Sequence, residues 1–328
     1  MEYIIITILL FALELIYFKI ADKYNIIDKP NHRSSHTQIT LRGGGIIFPI
    51  AFVLFLVKFT VFPDSDVLIS PFNYFIFGLG VLAISFISFL DDILDLSSKI
   101  RLLFHFISVT LLIYFLGLFT LVPIWLIPVI YIIIIGILNA YNFMDGINGI
   151  TGLYSLVMLL TFYFINHYNI VFVDQNFISY PALACLVFLF FNFRKRAKCF
   201  AGDVGSMSIA FWVLALMGLL LIKTENYTYL LFMSVYGIEV VSTIIQRIKL
   251  KENIFEAHRH HLYQLLVNEL KWSHLLVASL YAFWQLFINF CIIQFNLNFW
   301  EGFLYLVFPT FALYIVSKIL IFKKTKVF

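Results

Sequence analysis

The chain has 328 residues, of which 62% are hydrophobic and only 12% are charged, and its formal net charge is +4. Soluble domains carry about 25% charged residues, so the composition excludes a water-soluble globular protein and indicates a chain that crosses a membrane repeatedly. The three cysteines lie far apart and mostly within apolar runs, which excludes a disulfide framework and a cysteine metal site.

A helix needs about 20 apolar residues to cross a bilayer. Eleven such segments are predicted, at about 2–20, 45–62, 72–90, 100–118, 121–138, 150–166, 177–193, 207–223, 228–246, 274–295 and 299–322. The first lacks a basic flank and a cleavage site, so we expect a retained helix rather than a signal peptide. The fourth and fifth are nearly contiguous, which predicts a tight helical hairpin. The predicted fold is an all-α polytopic membrane protein with a single domain over residues 1–328.

Basic residues predict the orientation of these segments. If the N-terminus lies outside, 19 of the 22 lysines and arginines fall on one side, which is then cytoplasmic and also holds the C-terminus. The same side carries five polar clusters: "HRSSHTQITLRGGG" (32–45), "DDILDLSSK" (91–99), "NAYNFMDGINGITG" (139–152), "AGDVGS" (201–206) and "EAHRHHLYQ" (256–264). Active-site loops are therefore expected at about 21–45, 91–100, 139–152, 194–206 and 247–273.

Three carboxylates, those of Asp91, Asp92 and Asp95, end the third segment. Neighbouring like charges raise each other's pKa, and a divalent cation or a metal-bound phosphate would relieve the repulsion. The alternative is a solvated acidic helix end, in which Asp95 is a cap or a partner of Lys99 four residues on.

A second polar pattern recurs every third residue, at Asn139, Asn142, Asp145 and Asn148. On a helix these side chains would form one polar stripe. Amides both donate and accept hydrogen bonds, which suits a nucleobase edge, a ribose or the shell of a cation. The density of this pattern favours ligand binding over a cap-and-turn connection.

The "GDVGS" segment places Asp203 between two glycines, ahead of a helix. A carboxylate there can hold Mg²⁺ that also binds phosphate oxygens, while Ser206 or Ser208 caps the helix. A simple capped turn is the alternative interpretation.

The last cluster contains three histidines and an arginine. No cysteine or glutamate at metal spacing accompanies them, so anion binding is favoured over zinc, with a solvated surface cluster as the alternative. Together the clusters offer carboxylates for Mg²⁺, amides for a nucleoside and cations for phosphates. The residues of the histidine cluster are His258, Arg259, His260 and His261.

These motifs, in this order, resemble the polyprenyl-phosphate N-acetylhexosamine-1-phosphate transferases of the MraY/WecA group. The similarity extends from about residue 28 to 264 and includes the first-loop segment "RSSHTQITLRGGG". The resemblance implies about ten or eleven transmembrane helices with a cytoplasmic active site in the cell membrane. It also implies transfer of a sugar 1-phosphate from a UDP-sugar to undecaprenyl phosphate, with release of UMP and a requirement for Mg²⁺, with Mn²⁺ as the alternative metal.

The resemblance also assigns roles to residues. Asp91 and Asp92 match paired aspartates, one of which would deprotonate or orient the lipid phosphate. Asp203 matches the metal-binding aspartate, and Asn142 matches an asparagine close to the metal or the nucleotide. The other matches are Asn139, Asp145 and Asn148 in a nucleotide-facing segment, and His258, His260 and His261, with Arg259 among them, near the phosphates.

Two departures concern the branch of the family. Arg259 interrupts the three consecutive histidines of the muramoyl-pentapeptide branch, and Asn148 stands where many members have Asp. Both weaken the assignment to peptidoglycan-precursor synthesis and favour a branch that initiates a cell-surface glycan, but they do not name the sugar. UDP-N-acetylhexosamine or a related UDP-sugar is implied by the family resemblance alone. Membrane lipids are expected partners, a nucleic acid is not, and a homodimer is left open.

Two other functions stay open at this point. The "DDILD" motif also suits an intramembrane prenyltransferase, which normally needs a second aspartate-rich motif. Glu14, Glu239 and Lys318 lie inside predicted helices, and intramembrane charges occur in transporters and lipid flippases. The three show no obvious relay in the sequence.

Overall fold

The computed structural model describes residues 1–28, 39–62, 68–94, 96–253 and 259–325. Its α-helices are α1 (Glu2–Lys23), α2 (Ile47–Val61), α3 (Pro71–Leu94), α4 (Ser98–Phe115), α5 (Leu118–Leu121), α6 (Ile127–Met144), α7 (Ile150–Tyr168), α8 (Gln175–Asn192), α9 (Gly202–Thr224), α10 (Ser234–Lys249), α11 (Leu262–Asn268), α12 (His274–Gln294), α13 (Phe299–Gly302) and α14 (Phe308–Thr325). Short 3₁₀ segments precede three of them, at Gly44–Ile46, Ile124–Leu126 and Tyr227–Met233, and a π-helical turn, Phe303–Val307, precedes α14.

Within the described residues, eleven helical segments are long and apolar enough to cross a membrane. They correspond to the eleven predicted segments, with ends that differ by at most six residues. Helices suit this sequence because a helix satisfies its own backbone hydrogen bonds where water is absent. The chain is therefore an all-α multi-pass membrane protein, as predicted.

The helix α9 is the centre of the bundle. In its most apolar stretch 78% of the residues are buried, compared with 22% in α1. Aromatic rings hold α9 to its neighbours: Trp212 lies 5.6 Å from Phe52 of α2 and 5.3 Å from Phe177 of α8 between ring centroids, and Phe77 of α3 lies 5.1 Å from Phe52. Such aromatic pairs add stability beyond the area that they bury.

The hairpin predicted between the fourth and fifth spans is confirmed. Its turn contains Gly117 in the left-handed conformation (φ +68°), followed by the single turn of α5. The two arms, α4 and α6, contact each other where the hydroxyls of Thr110 and Tyr131 lie 2.6 Å apart and where the rings of Phe106 and Tyr131 stack at 4.6 Å.

Five connections meet at one end of the bundle, which we call the basic end. Residues 27–28 and 40–41 form a two-stranded antiparallel sheet, β1 (Ile27–Asp28) and β2 (Thr40–Leu41), in which Ile27 pairs with Leu41. Phe200 donates its N–H to the carbonyl of Leu41, and the N–H of Gly44 donates to the carbonyl of Phe200, both at 2.8 Å. The first and fourth of these connections are thereby joined. In the part of the chain that the structure describes, the connections that form the basic end are 24–28 with 39–43, 96–97, 145–149, 193–201, and 250–253 with 259–273.

The 3₁₀ segment ahead of α2 packs directly on the start of α9 through two glycines. A Cβ atom added to Gly45 would overlap the backbone of Gly205, and the N–H of Gly45 donates to the carbonyl of Ala201 at 3.0 Å.

We expect Gly45→Ala to lower the melting temperature, because such overpacking costs about 1–3 kcal/mol. Thermal unfolding of the purified protein in detergent checks this. Gly136→Ala, where a Cβ meets nothing within 4 Å, is the control, and equal shifts in both variants would contradict the prediction.

Candidate functional site

The carboxylate of Asp92 caps the N-terminus of α9. Its side chain has no exposed surface, and its two oxygens accept the N–H groups of Asp203 (3.0 Å) and Val204 (3.2 Å). These are among the N–H groups that a helix leaves without an internal partner, and a carboxylate also suits the positive end of the helix dipole. A residue of α3, distant in sequence, therefore defines where α9 begins.

The predicted serine caps are wrong. The helix α9 begins at Gly202, so Ser206 and Ser208 lie within it. Their hydroxyls donate to the carbonyls of Gly202 (3.3 Å) and Val204 (2.6 Å), one turn earlier. The sequence contains no local signal for the earlier start, because the capping group comes from another helix.

A residue that the sequence analysis did not select, Arg42, lies beside Asp92. Its Nε is 2.8 Å from Oδ1 of Asp92, and its side chain is 35% exposed. Burial lowers the pKa of Arg42, but the neighbouring carboxylates, Asp92 first and then Asp203, raise it above its usual value. The carbonyl of Arg42 accepts from the hydroxyl of Tyr17 at 2.6 Å, so its backbone is held as well. The one available signal was a single arginine directly before three glycines.

The two adjacent aspartates point to different helices. Asp91 lies 2.7 Å from Nη1 of Arg101 in α4 and accepts the N–H of Leu96 at 2.8 Å, whereas Asp92 faces α9. Their predicted repulsion is thus offset by one arginine for each carboxylate. Their catalytic role stays a prediction, and Asp95 lies outside the described residues.

Three further residues that the sequence predicts for the site, Asn142, Asp145 and Asp203, lie close together at the start of α9. Asn142, near the end of α6, lies beside the carboxylate of Asp203. Asp145 follows α6, and burial together with the negative charge of Asp203 raises its pKa to about 7, against the opposing effects of Thr151 and Arg42. Within the described residues, no lysine, arginine or histidine forms an ion pair with Asp145 or Asp203. The site therefore holds negative charge that its own arginines leave uncompensated.

The predicted polar stripe is wrong beyond Asn142, because α6 ends at Met144. Asn139 is on the helix, but its amide donates to the carbonyl of Ile135 at 2.8 Å. Asn148 lies past the helix end, and its amide donates to the carbonyl of Arg194 at 2.8 Å. Asn148 therefore ties the connection after α6 to the connection after α8.

The histidine cluster divides into residues with different surroundings. His258 lies outside the described residues, and Arg259 is half-buried. Nε2 of His260 lies 3.0 Å from Oε1 of Glu252, and burial lowers the pKa of His260 although Glu252 opposes this. His261 is 2% exposed. Anion binding by this cluster stays a prediction.

The helix α11, which begins directly after His261, contacts the segment that carries Asn142. The group formed by Asp92, Asp203, Asn142 and Asp145 is called the acidic site. The hydroxyl of Tyr263 donates to the carbonyl of Phe143 at 2.8 Å, and its ring leaves no space for a Cβ on Gly146. A second link joins the N–H of Asn148 to Nδ1 of His274 at 3.3 Å. Hydrogen bonds and an ion pair thus join three of the polar clusters, those of Arg42, Asp92 and Asp203. The cluster of Asn142 lies beside Asp203, and Tyr263 joins it to the histidine cluster.

The residues present fit a magnesium ion. No group of three or more His, Cys, Asp or Glu in metal-binding geometry occurs among the residues that the structure describes. Mg²⁺, however, usually binds through one or two carboxylates, with water and substrate phosphates completing its shell. The oxygens of Asp203, Asn142 and Asp145, with their uncompensated charge, form such a smaller set.

The raised pKa of Asp145 predicts a pH dependence of stability. The folded state holds the Asp145 proton up to about pH 7, whereas an unfolded aspartate loses it near pH 4. Stability contributed by the retained proton is complete below about pH 4 and is lost as pH rises to 7, by about 1.4 kcal/mol per pH unit. The measurement is the difference in melting temperature between Asp145→Asn and wild type, taken without a divalent cation. This difference, variant minus wild type, should rise from pH 4.5 to pH 7 and stay constant above pH 7. A constant difference would contradict the assignment.

The fold and the site define a multi-pass membrane protein with a carboxylate and amide site at one end of its helix bundle. Residues 74–222 match the family model of Glycosyl transferase family 4. The match indicates a transferase and supports, at the level of the family, sugar-phosphate transfer to a polyprenyl phosphate. It also supports the resemblance to the MraY/WecA-type transferases without distinguishing a branch. No curated protein matches the chain. The matched segment includes Asp91, Asp92, Asn139, Asn142, Asp145, Asn148 and Asp203, and ends before the histidine cluster.

Proposed function

We propose that this protein transfers N-acetylhexosamine 1-phosphate, or a related sugar 1-phosphate, from a UDP-sugar to undecaprenyl phosphate. A phosphate oxygen of the lipid forms a bond to the β-phosphorus of the donor. The bond from that phosphorus to the bridging oxygen breaks, and UMP leaves with that oxygen. The product is an undecaprenyl-diphosphate sugar that initiates a cell-surface glycan.

One observation carries the proposal. Asp92, Asp203, Asn142 and Arg42 converge at the basic end of a membrane helix bundle, inside or next to the segment that matches the transferase family. This convergence combines charge for a cation, a guanidinium for phosphate and an amide for a nucleotide. The excess of basic residues at this end supports a cytoplasmic active site, where a nucleotide sugar is available.

The residues suggest how each part of the donor is held. Arg42 binds Asp92 through Nε (2.8 Å to Oδ1) and Nη1 (3.4 Å to the carbonyl), and its Nη2 would bind the diphosphate with charge-assisted hydrogen bonds. Asp203 and Asn142, with Asp145, would hold Mg²⁺, which neutralises diphosphate charge when bound. Phosphoryl transfer depends chiefly on such positioning and electrostatics. A direct attack and a covalent aspartyl intermediate both stay open.

The lipid acceptor requires an apolar path to the same site. A cavity of about 620 Å³ lies among α6, α10 and the last span and is lined by Ile137, Ala140 and Tyr141, directly before Asn142. A second cavity, of about 390 Å³, lies beside Asp92 and is lined by Phe89 and Val204 among others. Both lie within membrane-spanning segments, and either position would bring a prenyl chain to the edge of the site.

The test is a transfer assay with the purified protein in detergent. It contains undecaprenyl phosphate, Mg²⁺ and a panel of UDP-sugars, and it follows both UMP and the lipid-linked product. We expect UMP and a lipid-linked sugar 1-phosphate from one donor, with loss of both in EDTA. Release of UDP would indicate an ordinary glycosyltransferase. No turnover with any donor would reject the proposal and favour transport or prenyl transfer.

A further inference from the structure

A buried carboxylate inside the membrane-spanning helix α10 contacts three other elements. Glu239 is 1% exposed. Its Oε1 accepts the N–H of Leu262 at 2.6 Å and the hydroxyl of Tyr314 at 3.1 Å, and its Oε2 accepts the hydroxyl of Tyr281. Nδ1 of His261 lies 3.3 Å from Oε1. One side chain thus joins α10 to the start of α11, to α12 and to α14.

A lysine completes this network, so two of the three intramembrane charges, which show no obvious relay in the sequence, are linked in the structure. Nζ of Lys318, in α14, donates to the hydroxyl of Tyr314 at 3.0 Å and to that of Thr243 at 3.2 Å. Tyr314 therefore links the cation to Glu239. The third intramembrane charge, Glu14, lies elsewhere, beside Cys199. The described part of the network ends at His261 and Leu262, in a segment (residues 259–262) that we call the histidine loop. Within the described residues it does not form a path across the membrane.

Stability alone does not account for such a network. Replacing buried ionic groups by apolar ones of similar volume is often neutral or stabilising, and ionisable residues within the membrane usually mark function. Glu239 itself does not contact the carboxylates of the acidic site in any described hydrogen bond or ion pair. Its contacts lead instead to the first residues of α11.

Those residues continue into the acidic site. His261 directly precedes α11, and its ring stacks on that of Tyr263 with centroids 5.6 Å apart and planes inclined by 21°. The hydroxyl of Tyr263 binds the carbonyl of Phe143, one residue after Asn142. A displacement of the first turn of α11 would therefore move Tyr263 relative to the segment that carries Asn142.

We propose that Glu239 is a positioning residue that sets the histidine loop against the acidic site, acting through the N–H of Leu262 and through His261. This role rests on the proposed function for its effect on turnover, but the placement of the loop is measurable without any substrate. Glu239 would fix the loop geometry and would not touch the donor or the lipid.

The experiment compares wild type, Glu239→Ala and Glu239→Gln as full chains in lipid nanodiscs. Modification of His261 by diethyl pyrocarbonate, read by mass spectrometry, reports the loop position. We expect Glu239→Ala to raise the modification rate of His261 about tenfold and the KM for the UDP-sugar by a similar factor, since small displacements have large kinetic effects. Glu239→Gln keeps an oxygen that accepts the Leu262 N–H, so it should restore both values substantially. A smaller folded fraction would lower kcat and leave KM unchanged.

A second variant removes the same hydrogen bond without touching Glu239. Leu262 is the first residue of α11, a position where proline is tolerated. Leu262→Pro deletes the N–H that Glu239 accepts, together with the half-buried leucine side chain. We expect it to expose His261 as Glu239→Ala does. Asn289→Leu disrupts another buried network, that of Gln285 and Thr161, and should leave His261 protected. Protection of His261 in both Glu239→Ala and Leu262→Pro would overturn the proposal. If His261 is exposed in both variants but no protein, wild type included, shows turnover, the proposed reaction is rejected and the positioning role of Glu239 is retained.

Discussion

Asp203→Asn is expected to abolish sugar-phosphate transfer, with kcat lower by about 100- to 1000-fold, the usual effect of removing one preorganised electrostatic group. Asp203 lies in the first turn of α9 beside Asn142, and no basic side chain in the described residues pairs with it. Asparagine keeps the size and removes the charge that would hold a divalent cation. The measurement is the initial rate of UMP release as a function of Mg²⁺ concentration.

The control for this variant is Asp174→Asn at the opposite end of the bundle. Asp174 precedes α8 and accepts the hydroxyl of Tyr74 at 2.5 Å, so its replacement perturbs a half-buried acceptor without reaching the basic end. It should change transfer by no more than about twofold, as expected of distant independent sites. Wild-type rates in Asp203→Asn, or an unchanged dependence on Mg²⁺, would remove Asp203 from the metal site.

Asp92→Ala is expected to destabilise the protein more than any other single change at the site. The loss of a helix cap costs about 1–2 kcal/mol, and the variant also leaves Arg42 without its carboxylate partner, which adds to that cost. Asp92→Asn retains one oxygen, which can accept one of the two α9 N–H groups, and should keep part of the stability. Thermal unfolding of both variants in detergent measures the difference.

The same pair of variants separates two roles of Asp92. If the carboxylate also orients or deprotonates the lipid phosphate, as the resemblance implies, Asp92→Asn should lose turnover while its melting temperature stays above that of Asp92→Ala. Equal melting temperatures for Asp92→Ala and wild type would contradict the capping role. Full turnover in Asp92→Asn would leave Asp92 with the structural role alone.

The spans and the polar clusters were predictable because hydropathy is a local property. About 20 consecutive apolar residues define a membrane helix wherever the rest of the chain lies, and alternation of the spans then brings every second connection to one end. The ends of helices were less predictable: α6 continues to Met144 through its two asparagines, and α9 begins five residues before the predicted span. In α9 the reason is a cap supplied by Asp92 from another helix.

Residues whose function depends on a distant partner were beyond sequence reasoning. Arg42 is one basic residue among many until β1 and β2, with Tyr17, bring it to Asp92. Asn148 belongs to the recurring polar pattern, yet its amide binds the carbonyl of Arg194. The pairing of Glu239 with the histidine loop is likewise invisible in the sequence, because hydrogen-bond partners are set by packing.

The amino-acid sequence alone determined that this protein spans a membrane, how many spans it has and which segments carry its polar residues. These follow from composition and short-range pattern, which do not depend on how the helices pack. Only the tertiary structure decided which carboxylates are committed to arginines and helix ends, and which ones keep uncompensated charge. That division depends on contacts between residues some 50 to 110 positions apart, such as Arg42 with Asp92 and Asp92 with Asp203, and only the packed bundle creates them.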